Sequence, residues 1–370
     1  MDKRVGFDTF LGNERIVRAL RGMLGRGRVP SALLFTGPRG IGKYTLARMF
    51  AQAANCQRLQ DDFCGECDSC RRMVLLADPA PLIEAGLAER GESADAAAVE
   101  RTPLIIEPHP DVWLIVPDPV RLRTPVARPM IRVGQLRAVQ RAAYFKPQRK
   151  RRLFILDGAD TMRWNDADVF LKILEEPPES ATLILLAPTP DSLLPTIRSR
   201  SLQFHFAPVP VEQVEKFLKD SGHGKAAERQ LIAQLSCGSP GAALALDLER
   251  SVRLRKTVLA LLDRAAAGEK YAGVFAATAQ LAKQENESFE NVLQVLYSLF
   301  TDLLESALSL KSRVPRNPDL QAEIASLGKK VNGDWIFQAT RAVDVLDGRL
   351  RRNIGRQLGL DALMISLAVR

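Results

Sequence analysis

The run Gly37-Pro38-Arg39-Gly40-Ile41-Gly42-Lys43 sets three glycines and a lysine within seven residues, a composition suited to wrapping a phosphate. Small residues let successive backbone N–H groups curl around phosphate oxygens. A helix beginning at the loop adds its partial positive charge, and Lys43 would reach the terminal phosphates. A glycine-rich turn that only joins two elements is the bland alternative. The next position departs from the nucleotide-binding pattern: a Mg²⁺-coordinating hydroxyl belongs directly after the lysine, and Tyr44 stands there, its phenol too large for that ligand position. Thr45 follows one residue late and is turned away by about 100° of helical rotation. Gly37, Gly40, Gly42 and Lys43 keep the cradle, but metal placement is compromised.

A second departure lies in Leu153-Phe154-Ile155-Leu156-Asp157-Gly158-Ala159-Asp160, an apolar run ending in an acid as a metal-holding Walker B strand does. Asp157 can still sit by a metal. In ATPases of the Asp-Glu type the next residue polarises the attacking water, and here it is Gly158, which offers no general base. Asp160 is a candidate stand-in, but two residues onward it lies past the strand end, and a helix cap is the simpler reading. Both losses point to nucleotide binding without hydrolysis.

Cys56, Cys64, Cys67 and Cys70 have seven, two and two intervening residues, a spacing that can close a tetrahedral four-thiolate site. Zinc is the economical occupant. The Cys-x-x-Cys-x-x-Cys run also suits iron-sulfur ligation, which ordinarily comes on a different scaffold. A closed four-sulfur site leaves no position for substrate, so its expected role is structural. Cys237 stands apart and reads as a small buried apolar residue.

Elements must hold these residues in place. Ile16, Val17, Leu20 and Met23 recur at helical spacing, the pattern breaks at Gly25 to Pro30, and Ala32-Leu33-Leu34-Phe35 then reads as a buried strand. Leu46, Met49, Phe50 and Ala53 share a helical face after the glycines, so the chain runs strand, glycine-rich loop, helix. Further strands are expected at 112–116, 153–157, 183–187 and 202–206, with helices at 133–143 and 165–176, which makes one large α/β domain. Residues 77–107, rich in Ala, Glu, Pro and Gly without sustained periodicity, read as a surface insertion. After Pro208 and Pro210 come short helices closed by the turn Gly238-Ser239-Pro240-Gly241. The remainder is helical, with a stripe of Phe289, Val292, Leu293, Leu296, Leu299, Phe300, Leu303 and Leu304 that must be buried.

The composition sets the outer limits. With 370 residues, 46% hydrophobic and 26% charged, the chain can build sizeable cores. Its 52 Lys and Arg against 43 Asp and Glu leave a net charge of +9, which suits nucleic acid or nucleotides as partners. Five cysteines are too few for a disulfide scaffold. No apolar run approaches the roughly 18 residues of a membrane span and no leader pattern opens the chain, so a cytoplasmic protein is expected.

Together these motifs resemble the AAA+ clamp-loader subunits of bacterial DNA polymerase III, and among them the delta-prime branch. The resemblance covers nearly the whole chain. It rests on Gly37 to Lys43, the four cysteines, His109-Pro110-Asp111 and Ile131-Arg132-Val133. Above all it rests on Phe170-Leu171-Lys172-Ile173-Leu174-Glu175-Glu176-Pro177-Pro178 and Ile197-Arg198-Ser199-Arg200-Ser201-Leu202-Gln203-Phe204. It implies an α/β P-loop AAA+ domain (1–207) with a zinc module (56–70) and the insertion (77–107), a helical lid (208–248) and an all-α collar (249–370) that assembles a ring of subunits. The implied partners are the gamma or tau and delta subunits and, through the complex, the sliding clamp and primer-template DNA. The Ser199-Arg200-Ser201 string implies that Arg200 acts in trans as an arginine finger on a neighbour's ATP, a role worth roughly 10³ to 10⁵ in rate. Thr189 matches the family's sensor near the terminal phosphate. In the segment 238–243, Ala242 or its neighbour stands where catalytic members carry arginine. This third loss favours a subunit that does not turn over ATP itself.

Two other readings stay open: a motor ATPase of the gamma or tau kind with an unusual loop, and a zinc-containing nucleic-acid-binding protein with a vestigial loop. The string Arg149-Lys150-Arg151-Arg152 can be a DNA-phosphate contact or a solvated turn. His109, His205 and His223 are isolated and read as structural or surface residues.

Overall fold

The apolar runs of the first two hundred residues form the strands β1 (Ala32–Thr36), β2 (Ile106–His109), β3 (Val112–Ile115), β4 (Arg152–Asp157), β5 (Ala181–Ala187) and β6 (Leu202–His205). In the computed structural model, which describes residues 5–126, 128–163, 167–268, 271–282, 289–308, 315–350 and 355–368, they make one sheet. Its order is β2-β3-β4-β5-β1-β6. All neighbours run parallel except β2, which is antiparallel to β3. β1 and β5 are buried at every position, as strands covered on both faces must be. β2 was not expected from the sequence; it closes a hairpin with β3 through Pro110 and Asp111.

The helices of this part are α1 (Glu14–Gly25), α2 (Lys43–Ala54), α3 (Asp68–Met73), α4 (Ala80–Arg90), α5 (Ala96–Arg101), α6 (Val133–Ala143), α7 (Ala167–Glu175) and α8 (Pro195–Ser199). Leu136 and Val139 of α6 with Phe170 and Ile173 of α7 pack on Leu34, Phe154, Leu156, Leu183 and Leu185 of the sheet. Full burial of such side chains stabilises by about 1.5–3 kcal/mol each. The first two residues of the helix expected at 165–176 lie outside the described residues.

Residues 77–107, which lack sustained apolar periodicity, fold into α4 and α5 and lead into β2. Buried Leu87, Val99 and Leu104 anchor them together with polar ties. Both terminal nitrogens of Arg90 donate to the Asp118 carboxylate, at 2.7 and 2.8 Å, with both side chains buried, and the Gly134 N–H donates to Glu100 at 2.6 Å. Apolar periodicity does not register such ties.

The chain continues through α9 (Val211–Asp220), α10 (Arg229–Leu235), α11 (Pro240–Ala245), α12 (Leu248–Ala266), α13 (Tyr271–Ala282), α14 (Phe289–Ala307), α15 (Gln321–Gly328), α16 (Gly333–Leu350) and α17 (Arg356–Leu367). Residue contacts divide it into two compact units. One is Met1–Phe217 with Gly238–Ala242; the other is Leu218–Cys237 with Ala243–Arg370, whose described elements are all helices. In the helical unit the expected stripe on α14 is buried from Val292 to Leu303, whereas Leu304 faces solvent. Arg255 is buried and held by Asp319 at 2.6 and 2.9 Å. Cys237, expected to be buried, is exposed and takes the left-handed conformation, with φ +49°, at a turn after α10. Among the described residues, no helix is long and apolar enough to cross a membrane.

Candidate phosphate-binding and metal sites

The sheet register assembles the phosphate site. Thr36 at the end of β1 pairs with Ala187, and Asp157 at the end of β4 pairs with Leu186, so three loops leave neighbouring carboxyl ends of parallel strands together. The Gly37 N–H donates to the Pro188 carbonyl at 3.0 Å, which ties the loop to the segment carrying Thr189. Thr189 itself is exposed. Gly37, Gly40 and Gly42 all have positive φ, and the loop opens directly into α2. At Gly40 a Cβ would lie 2.5 Å from the Ala242 backbone nitrogen, so only glycine fits there. The Gly241 N–H donates to the Gly40 carbonyl at 2.8 Å and seats the 238–242 segment on the loop.

Lys43 donates to the carbonyls of Gly37 at 2.6 Å and Pro38 at 2.9 Å. Burial lowers its pKa, while Asp157 and Asp160 pull it back up. The Asp157 carboxyl is correspondingly pushed up by burial and drawn down by Lys43. The cradle and its lysine are in place for an anion.

The two departures take definite positions. The Tyr44 hydroxyl donates to the Leu76 carbonyl at 2.7 Å, and burial raises its pKa, so the phenol is a neutral tether from α2 to the chain after α3. Thr45 is exposed. Gly158 has φ +81°, and a Cβ there would meet the Pro117 ring at 2.9 Å. The residues fit a phosphate, and Tyr44 and Gly158 supply neither the metal-binding hydroxyl nor the base at their own positions; Asp160, read as a helix cap, lies instead inside the single turn that Gly158 caps and acts on both Lys43 and Asp157.

Cys56 lies just past α2, Cys67 caps α3 and Cys70 lies within it, and Cys64 is in the loop between. Their four sulfurs lie within 4.8 Å of one another, three of the residues being buried. A tetrahedron with Zn–S of about 2.3 Å spaces its sulfurs by about 3.8 Å, and Cys64 and Cys70 are 4.0 Å apart. The Leu59 N–H points at the Cys56 sulfur and the Cys67 N–H at that of Cys64, both at 3.4 Å. Burial pushes the Cys67 thiol up, but the N–H groups of Gln57 and Cys70 and the neighbouring sulfurs outweigh it and bring the pKa to about 7. Donors aimed at sulfur favour thiolates, the form that binds metal. The cluster can hold a metal ion.

Arg200 follows α8. Its side chain is 37% exposed and donates to Glu175 at 2.9 Å and to the Thr196 carbonyl at 3.2 Å. The basic string is partly solvated, with Arg149 and Lys150 exposed, but three of its side chains are tied into the fold. Lys150 donates to the Cys56 carbonyl at 2.6 Å, Arg151 to Ala181 and Thr182, and Arg152 to the Ala142 carbonyl. Asn55, overlooked in the sequence, accepts from the N–H groups of Lys150 and Arg151 and so binds the cysteine module to β4. His109-Pro110-Asp111 has a bracing role of the same kind. His109 meets Ser69 at 2.9 Å, and the buried Asp111 carboxylate accepts from the N–H groups of Gln148 and Arg149. An asparagine next to a cysteine was the one available signal.

A family profile described as "DNA polymerase III, delta subunit" matches residues 12–210. DNA polymerase III subunit tau of Escherichia coli K12 is 28% identical over 215 residues, which cover 58% of this chain and 27% of the relative. The chain thus matches about a quarter of that protein's length. DNA polymerase III subunit delta' of Pseudomonas aeruginosa PAO1 is 28% identical over 364 residues, 93% of each chain. A solved DNA polymerase III gamma subunit-related protein of Thermotoga maritima superposes with a TM-score of 0.38 at 16% identity, covering 96% of this chain and 98% of that one.

Proposed function

The chain belongs to the DNA polymerase III delta-subunit family, and from that premise we propose that it works as the delta-prime-type subunit of a clamp loader. In this reading it is an AAA+ protein in three parts, with boundaries at 207 and 248, that does not hydrolyse ATP itself. Its partners are gamma or tau and delta, with the sliding clamp and primer-template DNA engaged through the cytoplasmic complex. The observation that carries the reading is a phosphate cradle kept beside two disabled positions. Tyr44 is turned to Leu76, and Gly158 is left-handed against Pro117. Nucleotide can rest in such a loop without being turned over.

Chemistry then depends on what the chain lends to a neighbour. Arg200 presents a permanent charge and forked donors, suited to a transferring phosphoryl group on another subunit. The cysteines hold Zn²⁺ as Cys56, Cys64, Cys67 and Cys70 thiolates, a closed set that leaves the metal a structural role. The tethers from Lys150 and Tyr44 to the cysteine region then make the metal part of the scaffold behind the loop.

The test uses a reconstituted ring whose motor subunits carry alanine at their own trans arginines, so that turnover reports the site facing Arg200. Arg200→Ala should leave assembly intact and lower that turnover by roughly 10³-fold. Normal turnover by the variant ring would remove the trans role. Magnesium-dependent hydrolysis by the chain alone would favour the motor reading instead.

A further inference from the structure

Arg200 is not a loose surface side chain. Its guanidinium bridges two helices, donating through Nη1 to the Thr196 carbonyl in the single turn of α8 and through Nη2 to Glu175 at the carboxyl end of α7. Pro177 and Pro178 cannot continue α7, so the helix stops where Glu175 faces Arg200. On its other side the helix end is held by the Tyr144 hydroxyl, which donates to the Glu176 carbonyl at 3.3 Å. A carboxylate at a helix C-terminus is repelled by the negative end of the macrodipole, which makes Glu175 a poor choice for α7 alone. Opposite a guanidinium the same charge is favourable.

We propose that Glu175 is the positioning residue for Arg200, holding the guanidinium in one orientation before a neighbouring nucleotide arrives; this rests on the trans role given to Arg200 above. The donor count allows it. A guanidinium has five N–H donors, and the contacts to Thr196 and Glu175 engage one each from Nη1 and Nη2. With 37% of the side chain exposed, the remaining edge can meet phosphate oxygens without giving up Glu175. A long arginine fixed in advance loses less rotamer freedom when the phosphoryl group demands it, so the gain appears in turnover and not in nucleotide affinity.

A double-mutant cycle in the ring described above tests this. Glu175→Ala should lower kcat by roughly threefold or more with the half-saturating ATP concentration unchanged. Glu175→Gln, which keeps an acceptor oxygen, should recover part of the loss. In the Arg200→Ala background, Glu175→Ala should have no further effect. Unchanged kcat in Glu175→Ala, while Arg200→Ala is impaired, overturns the positioning role and leaves the trans arginine standing. An equal loss in both backgrounds overturns it as well, since Glu175 would then act through the fold. Full activity of Arg200→Ala instead removes the premise.

Discussion

Putting back the two missing catalytic groups should not make this chain an ATPase. The double variant Tyr44→Thr, Gly158→Glu restores a hydroxyl after Lys43 and a carboxylate after Asp157. At Gly158, however, φ is +81°, and a side chain there leaves the backbone toward the Pro117 ring, 2.9 Å from its Cβ, with Thr161 at 3.7 Å. The new carboxylate is thus aimed at the 117 loop. A left-handed residue with a Cβ costs about 1–2 kcal/mol, and crowding Pro117 adds about 1–3 kcal/mol. Losing the Tyr44 hydroxyl leaves the carbonyl of buried Leu76 unpaired, at about 1–3 kcal/mol. The low end of the sum is about 3 kcal/mol, and at about 2–4 °C per kcal/mol for a unit of this size Tm falls by roughly 6 °C or more. Phosphate release and a melting curve on the same preparation decide the matter. Magnesium-dependent turnover that Lys43→Ala abolishes, at an unchanged Tm, would refute the geometric argument.

The cysteine site should hold about one zinc per chain by metal analysis, lost in Cys67→Ser. Chelation should lower Tm by roughly 5 °C or more, because structural zinc is worth on the order of 10 kcal/mol in small peptides; iron, or no metal, defeats the assignment. His109 supplies a pH signature. Burial lowers its pKa from 6.5, and its Nδ1 accepts from the Asp111 N–H, so the folded state keeps the ring neutral. The unfolded chain binds a proton below about pH 6.5 that the folded chain refuses, so this contribution is complete above that pH and is lost on acidification toward the lowered value. Unfolding titrations from pH 7 to 5 should therefore lose stability, with this ring contributing a slope of at most about 1.4 kcal/mol per unit. The slope should be shallower in His109→Gln, and equal slopes would show that the ring titrates freely.

Much of the candidate phosphate site was readable from the chain. Glycine spacing, an apolar run before it and an amphipathic run after it specify strand, loop and helix, because backbone freedom and side-chain periodicity are local properties. The losses at Tyr44 and Gly158 were equally plain, since a missing hydroxyl and a missing carboxylate are facts of residue type. The closing of the four cysteines into one cluster also followed from spacing, three of them falling within seven residues.

Where the polar side chains go was not legible. Arg149-Lys150-Arg151-Arg152 looks like a surface charge run, yet three of its four side chains are spent on carbonyls and a hydroxyl within the fold. Residues 77–107 show no helical stripe, yet Leu87, Val99 and Leu104 are buried and Arg90 and Glu100 find their partners in distant segments. Sequence alone determined which groups were present, which were lost and how the local backbone would run. Tertiary structure decided what each charge and hydroxyl faces: Tyr44 on Leu76, His109 on Ser69, Arg200 on Glu175. The reason is that hydrogen bonds and ion pairs join residues 25 to 40 positions apart only after the sheet has set their distances, and no pattern in the chain encodes that separation.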